Sequence, residues 1–214
     1  MSSLVNWFYC CFISSFYVTG ADPLRRRLLI GDSMLRDVVE SLPRIRVVCK
    51  PVIKLATLAH AIFEDQRYNL DNANLVIIHA GTNDINYCSA NELLDIVRSI
   101  VTKYRENFHG HIGFSTIIPR PRDGRNLSER VKNFNQLLMS FCSLNGCLCL
   151  RTHSPFLKGG RPRKQLYNKG LLHLRARGPA PSGAYILRNF LRSKLSFKIL
   201  LPCIRDIEAR FYSA

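Results

Sequence analysis

The chain has 214 residues and is 47% apolar, which suits one α/β domain with a sizeable core and excludes both two comfortable domains and wholesale disorder. Lys and Arg number 31 against 15 acidic residues, a formal charge of +16. Such a field attracts polyanions (nucleic acid, anionic membrane or an acidic partner) and says nothing about fold. The eight cysteines are scattered without a CxxC pair and read as small buried hydrophobes of a reducing compartment rather than a disulfide or metal framework.

Residues 1–24 form an apolar, aromatic extension. No Lys or Arg precedes it and Arg25-Arg26-Arg27 follow it, the wrong flank for a secretory signal, and it is short for a stable membrane span. The expected location is therefore intracellular. Leu28-Leu29-Ile30 is a short buried strand that runs into Gly31-Asp32-Ser33 and then helix-compatible sequence from Met34. Ile45–Cys49 reads as a second strand, and Leu55–Gln66 as a helix with Leu55, Leu58, Ala59 and Ile62 on one face. Leu75-Val76-Ile77-Ile78 is apolar and largely β-branched without alternation, so it should be buried on both faces, as in a parallel sheet. It ends in His79-Ala80-Gly81-Thr82-Asn83-Asp84.

Ser89 and Glu92 form a capping box for an amphipathic helix running past Tyr104. Ile112–Ile118 is expected as a fourth strand, followed by an arginine-rich loop. A helix begins near Ser128 with Val131, Phe134, Leu138 and Phe141 inward, and Cys147–Leu150 makes a fifth strand. Thr152–Leu172 reads as loop, Ser182–Leu195 as the last helix, and 197–214 as a tail. Strands alternating with helices predict right-handed crossovers and a three-layer α/β/α sandwich around a parallel, flavodoxin-like five-stranded sheet, with one domain over 25–196. In such sheets ligands bind beyond the carboxyl ends of the strands, where the Gly-Asp-Ser and Gly-Thr-Asn-Asp turns both fall.

A serine that ends a strand and opens a helix is exposed beside free amides, which suits a nucleophile, although Asp32 and Ser33 are also ordinary turn and N-cap residues. Together, Gly31-Asp32-Ser33, Gly81-Thr82-Asn83-Asp84 and the late His173 resemble the signature blocks of the SGNH (GDSL-like) hydrolase family, in the same order across about residues 27 to 195. The likeness extends to SGNH-like domains carried by retrotransposons, which share an Ile-Pro-Arg-Pro-like stretch such as Ile118–Pro121. The resemblance implies an esterase or acyl hydrolase without cofactor or metal, acting on an ester or acyl substrate. Ser33 would be nucleophile and His173 base, with the oxyanion held by the amides of Ser33 and Val52 and the side chain of Asn83.

Three departures mark an eroded catalytic set. The family places an Asp three residues before the histidine, where this chain has Gly170, and Glu129 is the only carboxylate between Gly124 and the end of the last helix. Loss of the matching acid in a serine protease costs about 10⁴ in kcat. Pro51-Val52-Ile53 stands where a Pro-Gly-Ala-like stretch is expected, and Pro179 and Pro181 interrupt the approach to the last helix. His79 reads as a core or rim residue, while His109, His111 and His153 lack ligand spacing, so no metal is expected.

The cationic residues gather at Arg25–Arg27, at Arg120, Arg122 and Arg125, at Arg161, Arg163 and Lys164, and at Arg175 and Arg177. The rival expectation is a non-catalytic module binding nucleic acid or another polyanion through these loops. Among them only Tyr167 offers a ring for stacking, so backbone contacts would dominate.

Overall fold

The computed structural model describes residues 27–42, 45–176 and 181–195. The apolar stretch 1–24, the tail 197–214 and Arg25, Arg26 and Arg177 lie outside the described residues. Five strands form one parallel sheet: β1 (Arg27–Gly31), β2 (Arg46–Cys49), β3 (Leu75–His79), β4 (His111–Ser115) and β5 (Leu148–Leu150), in the order β2-β1-β3-β4-β5. This is the flavodoxin-like order, whose topological switch lies between β1 and β3.

The apolar runs face two ways, as the period of two requires. Leu28, Ile30, Val76, Ile78, Ile112 and Phe114 join one buried cluster with the inward faces of α1 (Leu55–Glu64), α2 (Ala90–Asn107) and α3 (Arg125–Leu144). Leu29, Leu75 and Ile77 join a second cluster with α4 (Gly183–Lys194) and a nine-residue 3-10 helix, Ser33–Ser41. A three-layer α/β/α sandwich results. The segment after β1 is thus helical as expected but wound as 3-10, with Met34, Leu35 and Val38 buried.

Local signals hold well elsewhere. The Ser89–Glu92 capping box closes reciprocally at the start of α2, and Ser182 caps α4. Helix α3 starts three residues before the expected Ser128, behind Gly124, and of its expected inward residues Phe141 is only half-buried. Strand β4 stops at Ser115 although Thr116, Ile117 and Ile118 are buried. The cause is a polar side chain: Asn135 of α3 accepts from Ile117 N (2.8 Å) and donates to Ile117 O (2.9 Å), taking the backbone groups a strand would use. Within 152–172 a short hairpin appears, β6 (Leu157–Lys158) against β7 (Arg161–Pro162). Among the described residues, Cys49, Cys88, Cys142, Cys147 and Cys149 are free, and no helix is long and apolar enough to cross a membrane.

Candidate active site

Strand β1 ends at Gly31, and its ladder continues one step: Lys50 N donates to Gly31 O (2.8 Å) and Asp32 N to His79 O (3.1 Å). Asp32 is 1% exposed, and its Oδ1 accepts from Met34 N at 2.9 Å, capping the 3-10 helix. This pins the turn, so Ser33 opens the helix half-buried on the carboxyl rim of the sheet. The amide groups of a first helical turn have no partner within the helix.

The other half of the site comes from beyond β5. Tyr167 and Leu174 form an antiparallel bridge, Asn168 N donates to His173 O (2.9 Å), and Leu171 N donates to Asn168 O (2.9 Å), with Leu171 at φ 55°. This turn carries an exposed His173 to the rim, where its Nδ1 lies 3.5 Å from Ser33 Oγ across 140 residues of sequence. Helix α4 props the turn from behind: Arg175 N donates to Leu166 O (2.9 Å) and Ala184 N to Arg175 O (3.2 Å). Among the described residues no carboxylate hydrogen-bonds the His173 ring.

Asn83 follows β3, the neighbour of β1, and so shares the rim with Ser33. Its Nδ2 donates to Ile53 O at 3.0 Å and approaches Pro51 O at 3.5 Å, so in this conformation its amide latches the 51–53 turn. Val52, at the crown of that turn, is 86% exposed. Gly81 holds φ 109°, a left-handed value that a side chain disfavours. Asp84 is buried, and its Oδ2 accepts from Leu55 N at 2.9 Å, supplying the cap that Lys54 does not give α1. Burial pushes its carboxyl up, and the amides of Leu55 and Ala56 pull it back. Asp32 and Asp84 therefore both serve backbone amides.

His79 is a core residue, 2% exposed, with Nδ1 against Ser115 Oγ; neither its Nε2 nor Asp32 Oδ2 has a hydrogen-bond partner among the described residues. Burial lowers its pKa, against a smaller opposing pull from Asp32. The unfolded chain binds a proton below about pH 6.5 that folded His79 refuses, so stability falls on acidification, by at most about 1.4 kcal/mol per pH unit. Thermal melts between pH 7.5 and 5 should show this decline, and His79→Gln should flatten it. An equal slope in both proteins would remove His79 as its source. Burial also lowers the pKa of His153, whose Nδ1 lies 2.7 Å from Thr116 Oγ1. Among the described residues no group of three His, Cys, Asp or Glu is arranged to hold a metal ion.

Two residues of the expected polyanion surface differ from expectation. Arg120 is not a solvent-facing loop cation: it is 9% exposed, and its Nε donates to both carboxylate oxygens of Asp123 at 3.0 Å. Tyr167 is unavailable for stacking, being 4% exposed with its hydroxyl donating to Pro119 O. Both residues anchor loops, a role set by partners too local or too distant for a charge pattern to display. Arg122, Arg125, Arg161 and Lys164 are exposed, while Arg163 and Arg175 are half-buried. The structure brings the 120s loop against the β6–β7 hairpin, adding Lys158, which lies outside the basic runs of the sequence.

This is the fold of lipase and esterase domains. A GDSL-like lipase from Bacteroides thetaiotaomicron aligns over 86% of this chain and 94% of its own, with TM-score 0.65 and 14% identity. An acetyl xylan esterase covers 79% and 100% (TM-score 0.62, 13% identity), and the psychrotrophic esterase EstA from Pseudoalteromonas sp. covers 83% and 99% (TM-score 0.57, 15% identity). The sequence model of the GDSL-like lipase/acylhydrolase family matches residues 57–180, more than half the chain. The chain belongs to that family. The match contains Asn83 and His173 and begins after Ser33, which the fold brings beside it. A search of curated protein sequences finds no significant match.

Proposed function

We propose that this protein is a serine ester hydrolase working with a dyad of Ser33 and His173. The single observation that carries the reading is the 3.5 Å approach of Ser33 Oγ to His173 Nδ1 on the carboxyl rim. In the proposed reaction Ser33 Oγ attacks the ester carbonyl while the imidazole takes its proton. Collapse of the tetrahedral intermediate expels the alkoxide, which receives that proton, and water then hydrolyses the acyl-enzyme by the same relay. The amides of Ser33 and Val52 are the backbone donors for the oxyanion. Asn83 joins them on giving up its bond to Ile53 O, a cost of about 1 kcal/mol. The catalytic unit is residues 25–196, with 1–24 and 197–214 as appendages. The free thiols fit a reducing, intracellular compartment.

The missing acid gives the test. An added Cβ at Gly170 meets nothing closer than Asn168 Oδ1 at 3.5 Å, so a side chain fits there. Gly170→Asp would offer the imidazolium a carboxylate and is expected to raise kcat for short aryl esters by about tenfold. That is well below the roughly 10⁴ of an evolved acid, because its surroundings were not shaped to orient it. Rates at background in both proteins would end the hydrolase reading.

A second reading is favoured by one observation: the loop at Arg120–Asp123 and the hairpin at Lys158–Lys164 converge on one groove. Under it, the basic loops bind nucleic acid or another polyanion, with or without hydrolysis.

A further inference from the structure

The groove between the β4–α3 loop and the β6–β7 hairpin has a volume of ≈ 570 Å³ and is walled by Lys158, Arg161, Arg163 and Lys164 on one side and Arg120, Asp123 and Ser128 on the other. Arg120 and Asp123 neutralise each other at 3.0 Å. The remaining four cations have no ion-pair partner among the described residues, a concentration of like charge that costs stability unless an anion arrives. Arg163 is positioned rather than free to wander: its Nη1 donates to Pro155 O at 3.1 Å, while its Nε is buried without a hydrogen-bond partner. At the opposite wall α3 starts behind Gly124 without a side-chain cap and with no acidic residue in its first turn. The lining contains no aromatic ring.

We infer that this groove holds the phosphodiester backbone of a nucleic acid, an assignment that rests on the polyanion reading above and gives it a site. The occupant follows from chemistry. Lys158, Arg161, Arg163 and Lys164 line one groove, so successive phosphates of one backbone can be met together. Guanidinium and ammonium groups suit phosphate oxygens, and without rings to stack on, the bases face outward and sequence is not read.

The test is anisotropy of a labelled oligo-dT against salt, with two triple variants of equal charge change. Lys158, Arg161 and Lys164 are exposed, as are Arg98, Lys103 and Lys132 on α2 and α3. Replacing the first three by Ala should lower the log–log salt slope by about 2 and weaken binding roughly 100-fold at 0.1 M salt, the counterion-release yield of three phosphate contacts. Replacing the second three should leave the slope unchanged. Bound oligo-dT should also protect Lys158 and Lys164 of the unaltered protein from acetylation. Equal weakening by both triples, without protection, would keep polyanion binding and overturn the groove. No binding by the unaltered protein at low salt would end the polyanion reading itself. Aryl ester hydrolysis should be unchanged in the groove triple.

Discussion

Ser33→Ala is expected to abolish covalent labelling by a fluorophosphonate and to lower kcat for short aryl esters by about 10². The magnitude comes from subtraction. In a complete triad, removal of serine or histidine costs about 2 × 10⁶ in kcat and removal of the acid alone about 3 × 10⁴, leaving about 10² for serine and histidine without their acid. A phosphonate is an apt probe because it captures the nucleophile itself. Peptide mapping should put the adduct on Ser33, and His173→Ala should slow its formation. Labelling that survives Ser33→Ala, or an adduct at another residue, would refute the assignment. Because Ser33 Oγ points to the rim and packs no core, the variant should melt like the parent protein.

Gly183→Ala is expected to be the most damaging small substitution in the second core. A Cβ at this position would lie 2.0 Å from Leu166 O and 3.1 Å from Leu174 Cβ. Leu166 O is backbone, already accepting from Arg175 N, so it cannot rotate aside. The first turn of α4 must back away from the 166–175 segment, at a cost near 3 kcal/mol, the upper part of the range for overpacking. For a domain of this size that lowers Tm by about 6–12 °C. That segment carries His173, so hydrolysis should fall along with stability. Gly170→Ala is the control, since the same turn has open space there and Tm should hold or rise slightly. A Tm loss for Gly183→Ala no greater than for Gly170→Ala would show that α4 does not position the histidine turn.

Much of the architecture was legible from local sequence because its causes are local. Leu75–Ile78 is apolar without alternation, and it sits at the centre of a parallel sheet buried on both faces. Ser89 and Glu92 lie three residues apart and close on each other. What stayed hidden depends on partners far along the chain. Nothing near Ile117 announces that Asn135 will take its backbone groups, and nothing near Leu55 announces a cap from Asp84, 29 residues on. Charge counts also mislead where a cation is spent on a neighbour, as with Arg120. The turn motifs put Ser33 and Asn83 on one rim, and His173 was singled out by the family resemblance. They could not show that Asn83 is turned onto Ile53 O, because an amide's hydrogen-bond choice depends on which carbonyl folds within reach.

The strand order also dictates a timetable. β1 pairs first with β2, then takes β3 on its other edge, and β4 and β5 each add to the edge most recently made, so the sheet can grow outward as the chain leaves the ribosome. Ser33 is synthesised before them, and the α4 residues that hold the histidine turn come some 150 positions later. At 5–20 residues per second, Ser33 spends about 8–30 s without the imidazole that faces it in the finished protein. In a nascent chain Ser33 therefore stands alone, and its pairing with His173 is made only after the last strand and last helix have joined.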